Sequence, residues 1–107
     1  MARTDTTALE TYLVEHYRPG STAAELGAMA DSVREAARGM ERQGRAVRYL
    51  RAAVVPTDES LLCVFEAASE ELVREAYTRA GIAFERITAV IPDTTWSDRP
   101  QSTKEEE

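Results

Sequence analysis

The sequence predicts an α+β domain of βαββαβ order, and three observations carry that prediction. Four short runs are rich in branched and aromatic residues. Two longer runs between them place apolar residues at helical spacing. Each junction carries Pro, Gly or a capping pattern. At 107 residues the chain is long enough for one such domain and too short for two. The boundaries expected are a loose lead over 1–10, the domain over 11–92 and a polar tail over 93–107.

Thr11 to Arg18 (TYLVEHYR) reads as the first strand, and Pro19-Gly20 stops it. Thr22 and Glu25 then form a capping box: a hydroxyl and, three residues on, a carboxylate, each able to satisfy a free N–H at a helix start. Leu26, Met29, Ala30, Val33, Ala37 and Met40 give the first helix one apolar stripe, and Gly44 is a natural stop. Val47 to Val55 (VRYLRAAVV) reads as the second strand. Pro56 to Ser60 is turn chemistry, and Leu61 to Glu66 (LLCVFE) makes a hairpin partner. Ser69 can cap a second helix with Glu70 and Glu71 in its first turn, where the helix dipole favours acids. Leu72, Val73, Ala76 and Ala80 form its stripe, and Gly81 ends it. Phe84 to Ile91 (FERITAVI) is the fourth strand, closed by Pro92. The tail after Asp93 is polar and is expected to be mobile, with Trp96 able to fold back onto the body or a partner chain.

Right-handed crossovers convert this order into a ferredoxin-like, four-stranded antiparallel sheet with both helices on one face. The other face is then bare. Val47, Tyr49, Ala53 and Val55 alternate with Leu50, Ala52 and Val54, so the second strand is apolar on both sides. A half-wet sheet alternates more cleanly. The second face is therefore expected to be buried, most simply against another subunit, giving a homodimer.

The formal net charge of −6 disfavours nucleic acid, which needs clustered cations, and disfavours an anionic membrane surface for the same reason. The single cysteine, Cys63, rules out a disulfide within the chain and fits a reducing cytoplasm. The first residues lack the apolar core of a signal peptide, and a cytoplasmic location is expected.

No P-loop, dinucleotide fingerprint, HExxH or nucleophile elbow is present. What remains is a set of polar residues in apolar strands. Glu15 and His16 are neighbours in a strand and so point to opposite faces. Glu15 shares a face with Leu13 and Tyr17, and His16 with Tyr12 and Val14. A buried carboxylate needs a partner or its proton, and Arg48 is a candidate partner. Glu66 ends the third strand and could approach Glu15 if the two share a face. His16, Glu15 and Glu66 are the candidate metal ligands; the same polar residues could equally be a structural ion pair, a solvated strand end and an interface histidine. Cys63, amid Leu61, Leu62, Val64 and Phe65, reads first as a small buried hydrophobe. Tyr49, Tyr77, Phe84 and Cys63 could line a ligand pocket or be ordinary core. Arg34, Arg38 and Arg42 follow helical spacing, but interleaved acids favour a solvated face.

Four segments carry a resemblance: YLVEHYRPG near the start, RYL at Arg48–Leu50, LLCVFEAAS at Leu61–Ser69 and VREAYTRAGIAFERITAV at Val73–Val90. From Tyr12 to Ile91 the chain resembles a family of small bacterial proteins that includes a nickel-binding member. The resemblance implies a ferredoxin-like subunit that dimerises through its sheet into a dimeric α+β barrel, and nickel or another divalent metal as the ligand. Nickel-binding members carry several histidines, including ones on both helices. This chain has His16 alone; Tyr77 stands at the comparable place on helix two, and helix one offers Met29 and Asp31.

Two functions are therefore weighed. The first is a dimeric protein that binds a divalent metal or small ligand without chemistry. The second is a cofactor-independent enzyme of cyclase, isomerase or monooxygenase type. In that case Glu15 or Glu66 would be the base, with Arg48 or Tyr49 stabilising an enolate-like charge.

Overall fold

The structure is a computed structural model and describes residues 8–93. Trp96 and the expected tail lie outside the described residues. The elements are β1 (Glu10–Tyr17), α1 (Ala23–Arg42), β2 (Val47–Val55), a 3-10 turn (Pro56–Asp58), β3 (Ser60–Ala67), α2 (Glu70–Ala80) and β4 (Arg86–Val90). This is the βαββαβ order the sequence predicts. The sheet runs β2-β3-β1-β4, antiparallel throughout. The first and third strands are central, and the second and fourth are edges.

The capping box forms as expected: Glu25 N–H donates to Thr22 Oγ1 at 3.1 Å, and Thr22 N–H to Glu25 Oε1 at 2.8 Å. Ser69 is the N-cap of α2, but its hydroxyl makes no capping hydrogen bond. Gly81 closes that helix with φ at +71°, a conformation open to glycine because it has no Cβ.

Burial separates the two faces of the sheet. Along β1, Tyr12, Val14 and His16 are buried, whereas Thr11, Leu13 and Glu15 are only partly covered. In β3, Leu61, Cys63, Phe65 and Ala67 point inward beneath the helices. The core joins them to Leu26, Val33, Ala37 and Met40 of α1 and to Val73, Ala76 and Tyr77 of α2.

Strand β2 departs from simple alternation. Tyr49 pairs with Phe65, but Arg51 pairs with Val64, so Leu50 is an extra residue in a bulge. The inward set is therefore Val47, Tyr49, Ala52 and Val54, by register with β3. The sequence-based grouping of Tyr49 with Ala53 and Val55 is corrected: a bulge shifts every later side chain to the other face.

Outward lie Leu13, Glu15, Leu62, Val64, Glu66, Arg48, Arg51 and Ala53. Val64 is 6% exposed even here, flanked by Leu13 and Arg51 on the neighbouring strands. No described helix is long and apolar enough to cross a membrane.

Candidate functional site

The structure divides the candidate residues between the two faces of the sheet. His16, Cys63, Tyr49, Tyr77 and Phe84 lie on the helix side. Glu15, Glu66 and Arg48 lie on the other. A metal set of His16, Glu15 and Glu66 is thus not brought together within one subunit.

The helix-side group is built by strand register. His16 faces Leu61 and Val14 faces Cys63, so His16 and Cys63 are diagonal neighbours on one face. Tyr77 descends from α2 onto them, its ring 5.2 Å from the imidazole. Phe65 and Phe84 flank Tyr77 at 5.8 and 5.0 Å, and Tyr49 packs edge-on to Phe65 at 5.4 Å. The Arg74 guanidinium caps Phe84 from outside, 5.5 Å from the ring centre.

His16 is 1% exposed. Its Nδ1 lies 2.9 Å from the Leu61 carbonyl oxygen. A carbonyl only accepts, so Nδ1 carries the proton and donates it. In the neutral ring, Nε2 is then the nitrogen with the free lone pair. That atom is buried and has no hydrogen-bond partner. Burial lowers the pKa of the ring, and the Leu61 bond opposes the shift in part. The imidazole is accordingly held neutral, the form that ligates metals.

The other polar atoms nearby are also neutral. Burial raises the Cys63 thiol, with the Tyr77 and Tyr49 hydroxyls opposing. Burial likewise raises Tyr49 and Tyr77. The Tyr77 hydroxyl sits within electrostatic reach of the thiol but makes no well-formed hydrogen bond. This packed layer therefore holds an imidazole lone pair, a thiol and two phenols among apolar rings.

On the outer face the carboxylates are ion-paired. Glu15 meets Arg86 at 3.2 Å, across β1 and β4. Arg48 meets Glu66 at 3.3 Å, across β2 and β3. The partner of Glu15 is thus Arg86 and not Arg48. Glu15 and Glu66 share a face, yet Glu66 stands opposite Thr11, four positions from Glu15. That offset is about 13 Å along the strand. Their side chains are 37% and 34% exposed, which leaves them hydrated in a single subunit.

Sequence inspection missed the Leu61 carbonyl, which orients the imidazole, and Arg86. No local signal marks a backbone acceptor. Phe65 was legible, since period two from Cys63 places it on the same face.

A divalent ion of nickel type can be tested against these donors. Soft nitrogen and sulfur ligands suit it, and metal-bound histidines commonly donate their other N–H to a backbone carbonyl. His16 meets that description and Cys63 lies diagonally next to it. Among the described residues, however, no group of three or more His, Cys, Asp or Glu gathers in reach of one ion. The described residues of one subunit do not fit nickel as a permanently held, fully ligated ion.

Known proteins agree with the fold. A crystal structure of SCO4226 from Streptomyces coelicolor A3(2) superposes with a TM-score of 0.62 at 21% identity, covering 78% of this chain and 99% of that one. At that identity the likeness speaks for the fold. No curated protein matches the chain. The family described as "Nickel responsive protein SCO4226-like" matches residues 12–90, most of the domain. The chain belongs to that SCO4226-like nickel-responsive family.

Proposed function

We propose that this protein is a ligand-binding dimer that responds to a divalent metal of nickel type, with the buried helix-side layer around His16 and Cys63 as its sensing site. The observation that carries this is the buried Nε2 of His16, whose lone pair is oriented by Leu61 and left without a partner. A buried polar atom without a bond is costly, and a ligand that satisfies it gains that energy. The ion would be ligand and not resident cofactor. His16 Nε2 and the Cys63 sulfur are the groups that would hold it, and a bound cation would favour the thiolate form of Cys63. The outer carboxylates, each paired with an arginine, would hold the dimer in register and are not the ligands.

The dimer rests on the outer face. Leu13, Leu62, Val64 and Ala53 lie on it around Arg51, with an Arg–Glu pair at either end. A second copy placed over that face would exclude water from both sides of the sheet.

Nickel titration of the whole chain tests the ligand. At about 100 times its dissociation constant, a bound ion raises stability by about 2.7 kcal/mol, visible as an upward shift in Tm. His16→Ala and Cys63→Ser are each expected to abolish most of that shift, with loss of thiolate-to-nickel absorbance. A full nickel shift in His16→Ala would overturn the assignment.

A further inference from the structure

Arg18 and the connection from α2 to β4 meet at the end of the sheet where His16 lies. Alternation along β1 makes Arg18 the next residue after His16 on the helix face. Its N–H donates to the Glu59 carbonyl at 2.9 Å, which carries the pairing of β1 with β3 past Tyr17. The connection, residues 81–85, crosses this same end on its way from α2 to β4. Gly81, Ala83 and Glu85 are exposed in it, and Ile82 and Phe84 are half-buried. Phe84 rests on Tyr77, the ring that packs on the imidazole.

Two side chains hold this connection down beside His16. Glu85 N–H donates to the Glu15 carbonyl at 2.9 Å, and the Glu85 carboxylate accepts from the Tyr17 N–H at 2.9 Å. Glu85 thus grips the backbone on both sides of His16. The Arg18 guanidinium ties the same segment twice: Nη1 donates to Glu85 Oε1 at 3.1 Å, and Nη2 donates to the Ala83 carbonyl. Both charges reach the His16 ring electrostatically. The β1–β4 ladder begins one residue beyond, at Glu15 and Arg86, so the connection can lift without unpairing the strands.

A group that is 1% exposed meets a ligand only after some part of its cover opens, and thinly buried connectors open at the least cost. We propose that residues 81–85 are a strap that gates entry to His16, latched by Arg18 across Ala83 and Glu85. The strap regulates the sensing site described above and rests on that reading for the identity of its ligand.

The test reads the strap without a metal. Cys63 is the chain's one thiol and a diagonal neighbour of His16, so its labelling by N-ethylmaleimide in native buffer reports how often the layer opens. R18Q is expected to raise the labelling rate about fivefold, the worth of roughly one net hydrogen bond, with Tm nearly unchanged. E85Q keeps an oxygen for the Tyr17 N–H and should raise the rate less. It also keeps the test decisive if R18Q fails to fold. R45Q removes the Arg45–Glu75 pair, where the chain enters β2 opposite Ala67, and should leave the rate unchanged. With nickel ion in stopped flow, R18Q should speed association and dissociation together and leave Kd unchanged, whereas a merely structural role would move Kd or Tm. Equal labelling in the parent, R18Q and E85Q, or an equal rise in R45Q, would overturn the strap. Failure of nickel to bind the parent chain would count against the sensing site alone, since labelling decides the strap without it.

Discussion

The two faces of the sheet use the same strands for opposite ends. On the helix side, Phe65, Cys63, Leu61 and Val14 are fully buried, and even the polar members of the layer are held neutral. On the outer side, Val64 is buried but Leu13 and Leu62 are only partly covered and Ala53 is exposed, and every candidate carboxylate is ion-paired. One residue step along β1 separates His16 from Glu15, and that step decides whether an ionisable group loses its water. Sequence adjacency therefore says little about shared chemistry in a strand, because neighbours meet different solvents.

The largest effect belongs on the helix side. Phe65→Ala removes a ring packed between Tyr49 and Tyr77 and should cost about 3–5 kcal/mol in urea unfolding. Its cost should be the same at any protein concentration. Val64→Asp attacks the outer face instead, and its effect should be on assembly. A charge placed on that face is expected to turn a dimer into single subunits by sedimentation, at concentrations where the parent chain is paired. A parent chain that stays single at high concentration would remove the proposed partner.

Acid separates the faces by a different route. The folded pKa of His16 lies below its ordinary value, chiefly through burial, with Arg18 lowering it further and Glu85 and the Leu61 bond opposing. As pH falls through about 6.5, the unfolded chain takes up a proton that the folded ring resists, so stability declines. His16→Leu should flatten that decline between pH 7.5 and 5.5 in thermal melts. Glu85 acts at lower pH and in the same direction. The Tyr17 backbone N–H holds its carboxyl below the usual range, with the Arg18 charge adding to the effect, and protonation then removes that stabilisation.

The smallest effects are expected from the exposed pairs. Arg86→Ala and Arg48→Ala should each change stability by about 0–1 kcal/mol in a single subunit, since salt and water screen such contacts. A much larger loss from either would mean that the outer face is covered in solution, which would support the dimer.

Much of the fold was legible. Thr22 and Glu25 mark the start of α1 because a capping box is local chemistry, complete within four residues. The apolar stripe through Leu26, Val33, Ala37 and Met40 declares which side of that helix is buried. Alternation in β1 already placed His16 with Tyr12 and Val14, and apart from Glu15. The bulge at Leu50 was not legible, since VRYLRAAVV is apolar in either register. Nor was the pairing of Glu15 with Arg86, which depends on the register between β1 and β4.

The sequence by itself determined the order of elements, their ends and the membership of each face along an unbroken strand. These follow from periodicity and from backbone groups satisfied within a few residues. Only the tertiary structure decided which distant groups meet: the Leu61 carbonyl at His16, Tyr77 over Cys63, and Arg86 at Glu15. Such contacts depend on strand register and helix placement, which are fixed by the packing of the whole core and by no local run of residues.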